Sequence, residues 1–286
     1  MAEKTPNSAG KSDKINGPVP VAKVSSPFGV KLRRRAIPMV REIVVVASGK
    51  GGVGKSTVST NLAAGLAKSG KKVGIVDADI YGPSIPMMMG VEGPMEASEA
   101  KGKLRPVEKW GVKIVSFGFL SDSMNPVIWR GPLVAKAFEQ ICYEVDWGEL
   151  DFLIIDLPPG TGDIQMTMIE RLPVSGALIV TTPQHVALLD AHKALTMFQR
   201  LEVPVIGVVE NMAHYECAAC GHKERIFGDE AKGFSDARGV EIIAEIPLRV
   251  SVRENCDQGT PAICCDSTEV GVAYEKVVNK VIEFSS

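Results

Sequence analysis

The sequence lacks the features that would direct it to a membrane or to secretion. No apolar run approaches the roughly 20 residues that a membrane-spanning helix needs, and residues 1–4 lack the apolar core of a secretory signal. The formal net charge is only −2, so composition gives no argument for a nucleic-acid or membrane surface. We therefore expect a cytoplasmic protein with neither nucleic acid nor membrane as a partner.

Cysteine is also sparse, with 6 residues in a chain of 286. That number is too small for a disulfide framework at this length. Two of the six, Cys217 and Cys220, form a C-x-x-C pair, which indicates metal or redox chemistry in a reducing compartment. Hydrophobic residues make up 45% and charged residues 23% of the chain, which is ordinary for a soluble globular protein. At 286 residues, the chain is long enough for one large α/β domain or two small ones.

A complete phosphate-binding pattern, G-x-x-x-x-G-K-[ST], is the most informative feature that is present. It follows a short apolar run and precedes a segment with helical spacing of apolar residues. Glycines let backbone N–H groups approach a phosphate, and the N-terminus of the next helix attracts its charge. Lys55 would reach the β- and γ-phosphates, and Ser56 would hold Mg²⁺. The predicted nucleotide-binding residues of this loop are Gly49, Gly51, Gly52, Val53, Gly54, Lys55, Ser56 and Thr57.

Carboxylates at the ends of two other predicted strands fall where open α/β sheets bind ligands. Asp156 would be the second carboxylate directed at Mg²⁺. Asp79 would position an attacking water or hold Mg²⁺ through water, whereas we expect Asp77 to organise the following loop. Gly160 would bring a backbone N–H to the γ-phosphate and move when that phosphate leaves.

The rest of the chain alternates strand and helix patterns, which predicts a doubly wound α/β fold with a mainly parallel sheet and helices on both faces. Asn211, at the end of one strand, could read an adenine edge with its amide donor and acceptor. Residues 1–38, rich in Ser, Pro, Lys and Gly, predict a flexible tail, and residues 39–286 predict the P-loop domain. The predicted strands are 43–47, 72–77, 112–117, 151–156, 177–182, 205–210 and 241–246, and the predicted helices are 57–68, 133–145, 186–201, 231–238 and 268–284.

The C-x-x-C pair offers two thiolates to one soft metal centre, and Gly221 frees the turn that follows it. Two thiolates are half of the four ligands that a [4Fe–4S] cluster or a structural zinc ion needs. The other two would come from a second copy of the chain or from within the same chain. The candidates within the chain are His214, His222, Cys256, Cys264 and Cys265.

Taken together and in order, these motifs resemble those of a known family. Lys50 makes the phosphate loop similar to the deviant type of the MinD/ParA class of dimeric ATPases. Residues 77–84 and 156–163, and Asn211 followed closely by the C-x-x-C pair, resemble the Mrp/ApbC iron–sulfur cluster carriers. The resemblance covers residues 38–286.

The resemblance implies a homodimer that binds ATP at its interface and hydrolyses it slowly as a switch. Lys50 would reach the partner's nucleotide, and Lys50, Lys55 and Asp79 would be the catalytic residues, with Asp79 orienting the hydrolytic water. Cys217 and Cys220 of both subunits would bind one bridging [4Fe–4S] cluster. Apo iron–sulfur proteins would receive that cluster.

Two other functions remain compatible with the sequence. One is a positioning ATPase that partitions DNA or a division site, which would need a basic face or an amphipathic terminal helix. The last predicted helix instead carries Val270, Tyr274 and Val277 with few cations, so we expect it to pack on the core. The other is an ATPase with a structural zinc ion at Cys217 and Cys220, with His222 as a further ligand.

Overall fold

The computed structural model describes residues 35–100, 102–119, 131–217, 219–266 and 268–286. Most of the predicted tail, residues 1–34, therefore lies outside the described residues. Ile37, near the end of that predicted tail, is 3% exposed and belongs to an apolar core cluster. The division into a tail and a P-loop domain stays a prediction.

The secondary structure alternates between strands and helices. The strands are β1 (Val40–Ala47), β2 (Val73–Asp77), β3 (Glu96–Ala97), β4 (Leu104–Arg105), β5 (Val107–Lys109), β6 (Val112–Ser116), β7 (Leu150–Asp156), β8 (Gly176–Thr181), β9 (Val205–Glu216), β10 (Lys223–Glu224) and β11 (Ile242–Leu248). The helices are α1 (Lys55–Lys68), α2 (Ile85–Met89), α3 (Gly131–Tyr143), α4 (Asp163–Arg171), α5 (His185–Arg200), α6 (Ala231–Arg238), α7 (Val250–Asp257), α8 (Ala262–Cys265) and α9 (Glu269–Phe284).

One large sheet runs through the described part of the chain in the order β10-β9-β8-β1-β7-β2-β6-β5, and β11 also pairs with β9. The central strands pair in parallel, whereas β5 and β10 pair antiparallel with β6 and β9. Because each parallel connection needs a crossover, helices lie on both faces. The doubly wound, mainly parallel α/β fold is confirmed.

Each central strand sends alternate side chains into two separate apolar layers. In β1, Val44 and Val46 face one layer, which also contains apolar residues of α1 and α9. Ile43 and Val45 face the other layer, which contains apolar residues of α3, α4 and α5. Burial on both faces explains why these strands read as continuous apolar runs in the sequence.

The predicted elements are confirmed to within a few residues, with two differences that matter. Strand β9 continues to Glu216 rather than ending at residue 210, because β11 and β10 both supply pairing partners beyond that point. The second difference is the short helix α2, which forms in a segment where no helix was predicted. The prediction that α9 packs on the core is confirmed, since Val270, Tyr274 and Val277 are fully buried. Among the residues that the structure describes, every helix is too short or too polar to span a lipid bilayer.

Candidate functional site

The phosphate-loop pattern forms the turn between β1 and α1, and its last residues, from Lys55 on, are the first residues of α1. Gly52 and Gly54 have φ angles of 80° and 84°, in the left-handed region that glycine adopts without steric cost. The loop opens onto a cavity of about 190 Å³, which Asp79 and Pro159 also line. The structure therefore brings three predicted site segments, the loop, Asp79 and the loop after β7, to one edge of the sheet.

Asp156 at the end of β7 is fully buried and receives three side-chain donors from α1. Lys55 Nζ and Ser56 Oγ lie 2.7 and 2.6 Å from Asp156 Oδ2, and Ser59 Oγ lies 2.6 Å from Oδ1. The ammonium and the hydroxyls compensate the charge that burial would otherwise penalise. The hydroxyl of Ser56 and the carboxylate of Asp156 are oxygen donors of the kind that Mg²⁺ prefers.

Asp77, at the end of β2, organises the loop that follows it, as expected. Its Oδ2 accepts the backbone N–H groups of Ser84 and Ile85 at 3.0 and 3.1 Å and the hydroxyl of Ser116 at 3.0 Å. Burial, and then the neighbouring charge of Asp156, raise the pKa of Asp77 to about 7. The role of this carboxyl is therefore structural, since its oxygens are engaged inside the protein.

Asp79 is partly buried and borders the cavity beside the phosphate loop. Its Oδ1 accepts the backbone N–H groups of Tyr81 and Gly82 at 3.2 and 3.3 Å. These bonds orient the carboxylate without burying it. Its position suits the predicted role of orienting a water molecule, which stays a prediction.

Lys50 and Gly49 join the phosphate loop to α5. Lys50 Nζ lies 3.3 Å from Oε1 of Gln184, immediately before α5. A Cβ on Gly49 would lie 2.2 Å from the backbone carbon of Asp190, so only glycine allows this close approach. The predicted reach of Lys50 to a partner's nucleotide requires it to leave Gln184, and that role stays a prediction.

Gly160 and Asn211 both contact the loop through hydrogen bonds. The Gly160 N–H donates to Ser48 O at 2.9 Å, and Gly160 has a φ of 101°. Asn211 Nδ2 donates to Val53 O at 2.8 Å, and Asn211 is 6% exposed. Each residue therefore helps to hold the loop in place. The predicted contact of Gly160 with the γ-phosphate and that of Asn211 with the adenine stay predictions.

The C-x-x-C pair lies at the tip of the hairpin formed by β9 and β10. The Cys217 N–H donates to His222 O at 2.9 Å and the Gly221 N–H to Cys217 O at 2.8 Å, which closes a tight turn. Backbone N–H groups of Ala219 and Cys220 donate to the Cys217 sulfur and lower the pKa of its thiol. The Cys217 side chain is partly exposed and Cys220 is exposed. This turn presents two accessible sulfurs, one of them with enhanced thiolate character.

His222 lies in this turn, whereas three of the other candidate ligands contact residues outside it. Cys256 Sγ is 4.0 Å from Thr57 Oγ1 of α1, and Cys265 Sγ lies 3.8 Å from Pro261 O. His214 joins Glu216 and Glu269 in a separate group. Among the described residues, no third His, Cys, Asp or Glu forms a metal-sized group with Cys217 and Cys220. The described chain by itself thus offers this turn only two ligands.

A family model decides the classification. The ParA model described as the NUBPL iron-transfer P-loop NTPase matches residues 39–282. The chain belongs to this family. Membership makes it a P-loop NTPase and confirms the resemblance to the iron–sulfur carriers.

Two relatives of the NUBPL family match most of the chain. The iron–sulfur cluster transfer protein NUBPL of Mus musculus is 44% identical over 254 residues, which are 87% of this chain and 79% of the mouse protein. An iron–sulfur cluster carrier protein of Pseudomonas fragi is 45% identical over 257 residues, covering 89% of this chain and 90% of that protein.

A solved structure with the same fold is a nucleotide-binding protein of Archaeoglobus fulgidus in complex with ADP, in which cobalt was found. It is 41% identical, has a TM-score of 0.69, and the match covers 77% of this chain and 87% of that protein. At this identity and coverage, the two proteins share one fold.

Two residues that contact the site in this NUBPL-family chain were not predicted from the sequence. Ser59 binds Asp156 and could have been predicted, because it follows Lys55 by four residues and so lies on the same face of the helix. Gln184 binds Lys50, and no local pattern pointed to it, since the contact depends on how α5 packs beside the loop.

Proposed function

We propose that this NUBPL-family NTPase is an ATP-dependent carrier that binds an iron–sulfur cluster and transfers it to apo-proteins. The observation that carries the proposal is the course of β9. This strand contacts the phosphate loop through Asn211 and leads directly into the turn with Cys217 and Cys220. One strand therefore links a nucleotide site to a pair of accessible thiols. The names of the mouse and Pseudomonas relatives support the same activity.

Mg²⁺ and ATP fit the donors around the phosphate loop. Ser56 and Asp156 would hold Mg²⁺, which would neutralise phosphate charge. Lys55 would bind the β- and γ-phosphates, and the loop N–H groups would surround them. Asp79 would orient the water for hydrolysis. Hydrolysis of ATP would be slow. It would serve to change the geometry of the dimer and not to produce a metabolite.

A homodimer would complete both sites. Two copies of the hairpin would supply four thiolates, the number that one [4Fe–4S] cluster needs. The lack of a third ligand near Cys217 and Cys220 among the described residues supports this sharing. Lys50 would leave Gln184 and contact the partner's nucleotide, so that ATP and cluster would both lie between the subunits.

Transfer would proceed by exchange of thiolates. Each thiolate of an apo iron–sulfur protein would replace one carrier thiolate, so the iron–sulfur core would keep its composition and oxidation state. The exposure of Cys220 suits this step, because an incoming ligand can reach it. All six cysteines of the chain are free thiols, in keeping with the predicted cytoplasmic location and its reducing conditions.

Anaerobic reconstitution with iron and sulfide tests the proposal. We expect a broad absorption band near ~400 nm and about four irons per dimer, as a [4Fe–4S] cluster held by four thiolates requires. Cys217→Ala should abolish the band and leave ATP binding intact, whereas the matched variant Cys265→Ala should keep both. A colourless monomer that holds zinc would contradict the proposal and favour a structural zinc site.

Co-sedimentation with liposomes and with DNA tests the alternative function, that of a positioning ATPase. We expect the protein to sediment with neither, because the apolar face of α9 is already buried in the core. Binding to either surface, together with failure to assemble a cluster, would replace the proposed function by the positioning one.

A further inference from the structure

Met212 introduces an irregularity in the middle of β9. Its φ is 56°, a left-handed value that is uncommon and costly for a side chain other than glycine. From Ile246 to Leu248, β11 advances two residues while the facing part of β9 advances four, from Asn211 to Tyr215. Strand β9 therefore bulges at Met212. Such strained positions persist only where their surroundings fix them.

The bulge lies directly against the phosphate loop. Asn211 Nδ2 donates to Val53 O at 2.8 Å. A Cβ on Gly54 would lie 2.1 Å from Asn211 Nδ2 and 3.9 Å from Met212 Cε. The space between loop and bulge is thus filled, and a displacement of Val53 or Gly54 must displace the bulge.

On its C-terminal side, the bulged part of β9 leads into the C-x-x-C turn. Cys217 follows Met212 by five residues and comes directly after Glu216, the last residue of β9. Glu216 forms an ion pair with Arg249, the residue before α7. Cys256 of α7 lies 4.0 Å from Thr57 in the first turn of α1. The turn is therefore connected to the nucleotide site by two routes, the bulge and α7.

We infer that the Met212 bulge is the hinge through which nucleotide in the phosphate loop changes the geometry of the C-x-x-C turn. The inference rests on the proposed function, since it connects the two ligands of that function. A left-handed residue in a strand has a lower-energy extended alternative, and adopting it removes the bulge and shifts the register of the residues that follow. Two discrete arrangements of one element are the physical basis of coupling between sites.

Thiol alkylation on the full-length apo-protein measures this coupling without a cluster. The rates at which iodoacetamide modifies Cys217 and Cys220 are followed by mass spectrometry, with and without Mg²⁺ and a non-hydrolysable ATP analogue. In the wild type, we expect nucleotide to change both rates on the order of fivefold, within the usual range of coupling between sites. The rate at Cys265 serves as the internal reference and should not change.

Three variants separate the hinge from a simple structural effect. In Met212→Gly the left-handed and the extended backbone conformations of residue 212 both cost little. Movement of the phosphate loop is then taken up at residue 212, and the effect of nucleotide on the alkylation rates should disappear. In Met212→Ala the side chain is shortened but the backbone strain remains, so the response should persist. Glu202→Gly, at a second left-handed residue with a φ of 55° between α5 and β9, is the matched control and should respond like the wild type.

Calorimetric titration of the same nucleotide analogue distinguishes the possible failures. If nucleotide still changes the alkylation rates in Met212→Gly, the hinge is overturned. That result is expected if contacts between subunits protect the thiols. Unchanged alkylation in a wild-type protein that binds nucleotide and assembles a cluster also overturns it, and leaves the proposed function standing. A wild-type protein that binds no nucleotide overturns the proposed function and the hinge together.

Discussion

Lys55 and Asp156 form an ion pair with Nζ 2.7 Å from Oδ2, and their side chains are only 6% and 0% exposed. The pair joins the start of α1 to the end of β7, two elements 101 positions apart in the sequence. Ser56 and Ser59 supply further hydrogen bonds to the same carboxylate. A buried ion pair of this kind costs little while both partners are present, but removing one leaves an unpaired buried charge.

The first prediction concerns that pair. Lys55→Met should abolish ATP binding and lower the free energy of unfolding by about 3 kcal/mol, because Asp156 is left without its counter-charge. The double variant Lys55→Met/Asp156→Asn should recover most of the stability and none of the binding. Denaturant titration and calorimetry measure the two effects. Equal stability of the single and double variants would show that the unpaired charge of Asp156 does not cause the loss.

The second prediction concerns Gly54. Gly54→Ala places a Cβ 2.1 Å from Asn211 Nδ2 at a φ of 84°, so it should weaken nucleotide binding and destabilise the protein by about 1–3 kcal/mol. Gly233→Ala is the matched control, because Gly233 lies in α6 with open space around it. That variant should be neutral or more stable by up to about 1 kcal/mol. Similar losses in both variants would mean that crowding at Asn211 is unimportant.

The third prediction concerns Lys50. Lys50→Ala should leave the affinity of each chain for nucleotide nearly unchanged but should prevent ATP-dependent dimerisation. Hydrolysis should fall on the order of a hundredfold, because a cation near the transferred phosphate is lost. Lys193→Ala, which removes an exposed lysine paired with Asp190 on the adjoining helix, is the control. Sizing and phosphate release provide the measurements, and a Lys50→Ala protein that dimerises with ATP would refute the role across the interface.

The fourth prediction concerns the pH dependence of stability. Burial, and then the charge of Glu245, raise the pKa of Glu210 from 4.5 to about 7, against the opposing effect of Arg225. Between these values the folded protein retains a proton that the unfolded chain loses, so the free energy of unfolding falls as pH rises through this interval. The loss amounts to as much as about 3 kcal/mol.

Replacing Glu210 tests this dependence. Glu210→Gln should make the decline of the free energy of unfolding between pH ~5 and ~7 shallower. The part that remains comes from Asp77, whose pKa is also raised to about 7. Arg225 keeps Glu245 and Asp229 as ion-pair partners in that variant. Glu245→Gln should reduce the decline, because it removes one cause of the raised pKa. Denaturant titrations at several pH values decide the matter, and parallel curves for Glu210→Gln and the wild type would rule out Glu210 as the source.

Much of the fold could be predicted because its signals are local. The apolar runs of β1, β7 and β8 and the helical spacing of α1, α5 and α9 are each contained within one segment. The extension of β9 to Glu216 could not be predicted, since residues 211–216 are not a continuous apolar run. They belong to β9, bulge included, because β11 and β10 supply backbone partners from other parts of the chain.

The chemistry proposed for this protein could be predicted from the sequence, because the phosphate-loop pattern and the C-x-x-C pair are each complete within a few adjacent residues. The arrangement of those groups in space became known from the folded chain. The fold placed Asp156 on Lys55, Asn211 on Val53 and the bulge of Met212 between the loop and the cysteines. These contacts join residues that are far apart in the chain, and they depend on strand order and register, which no local pattern encodes.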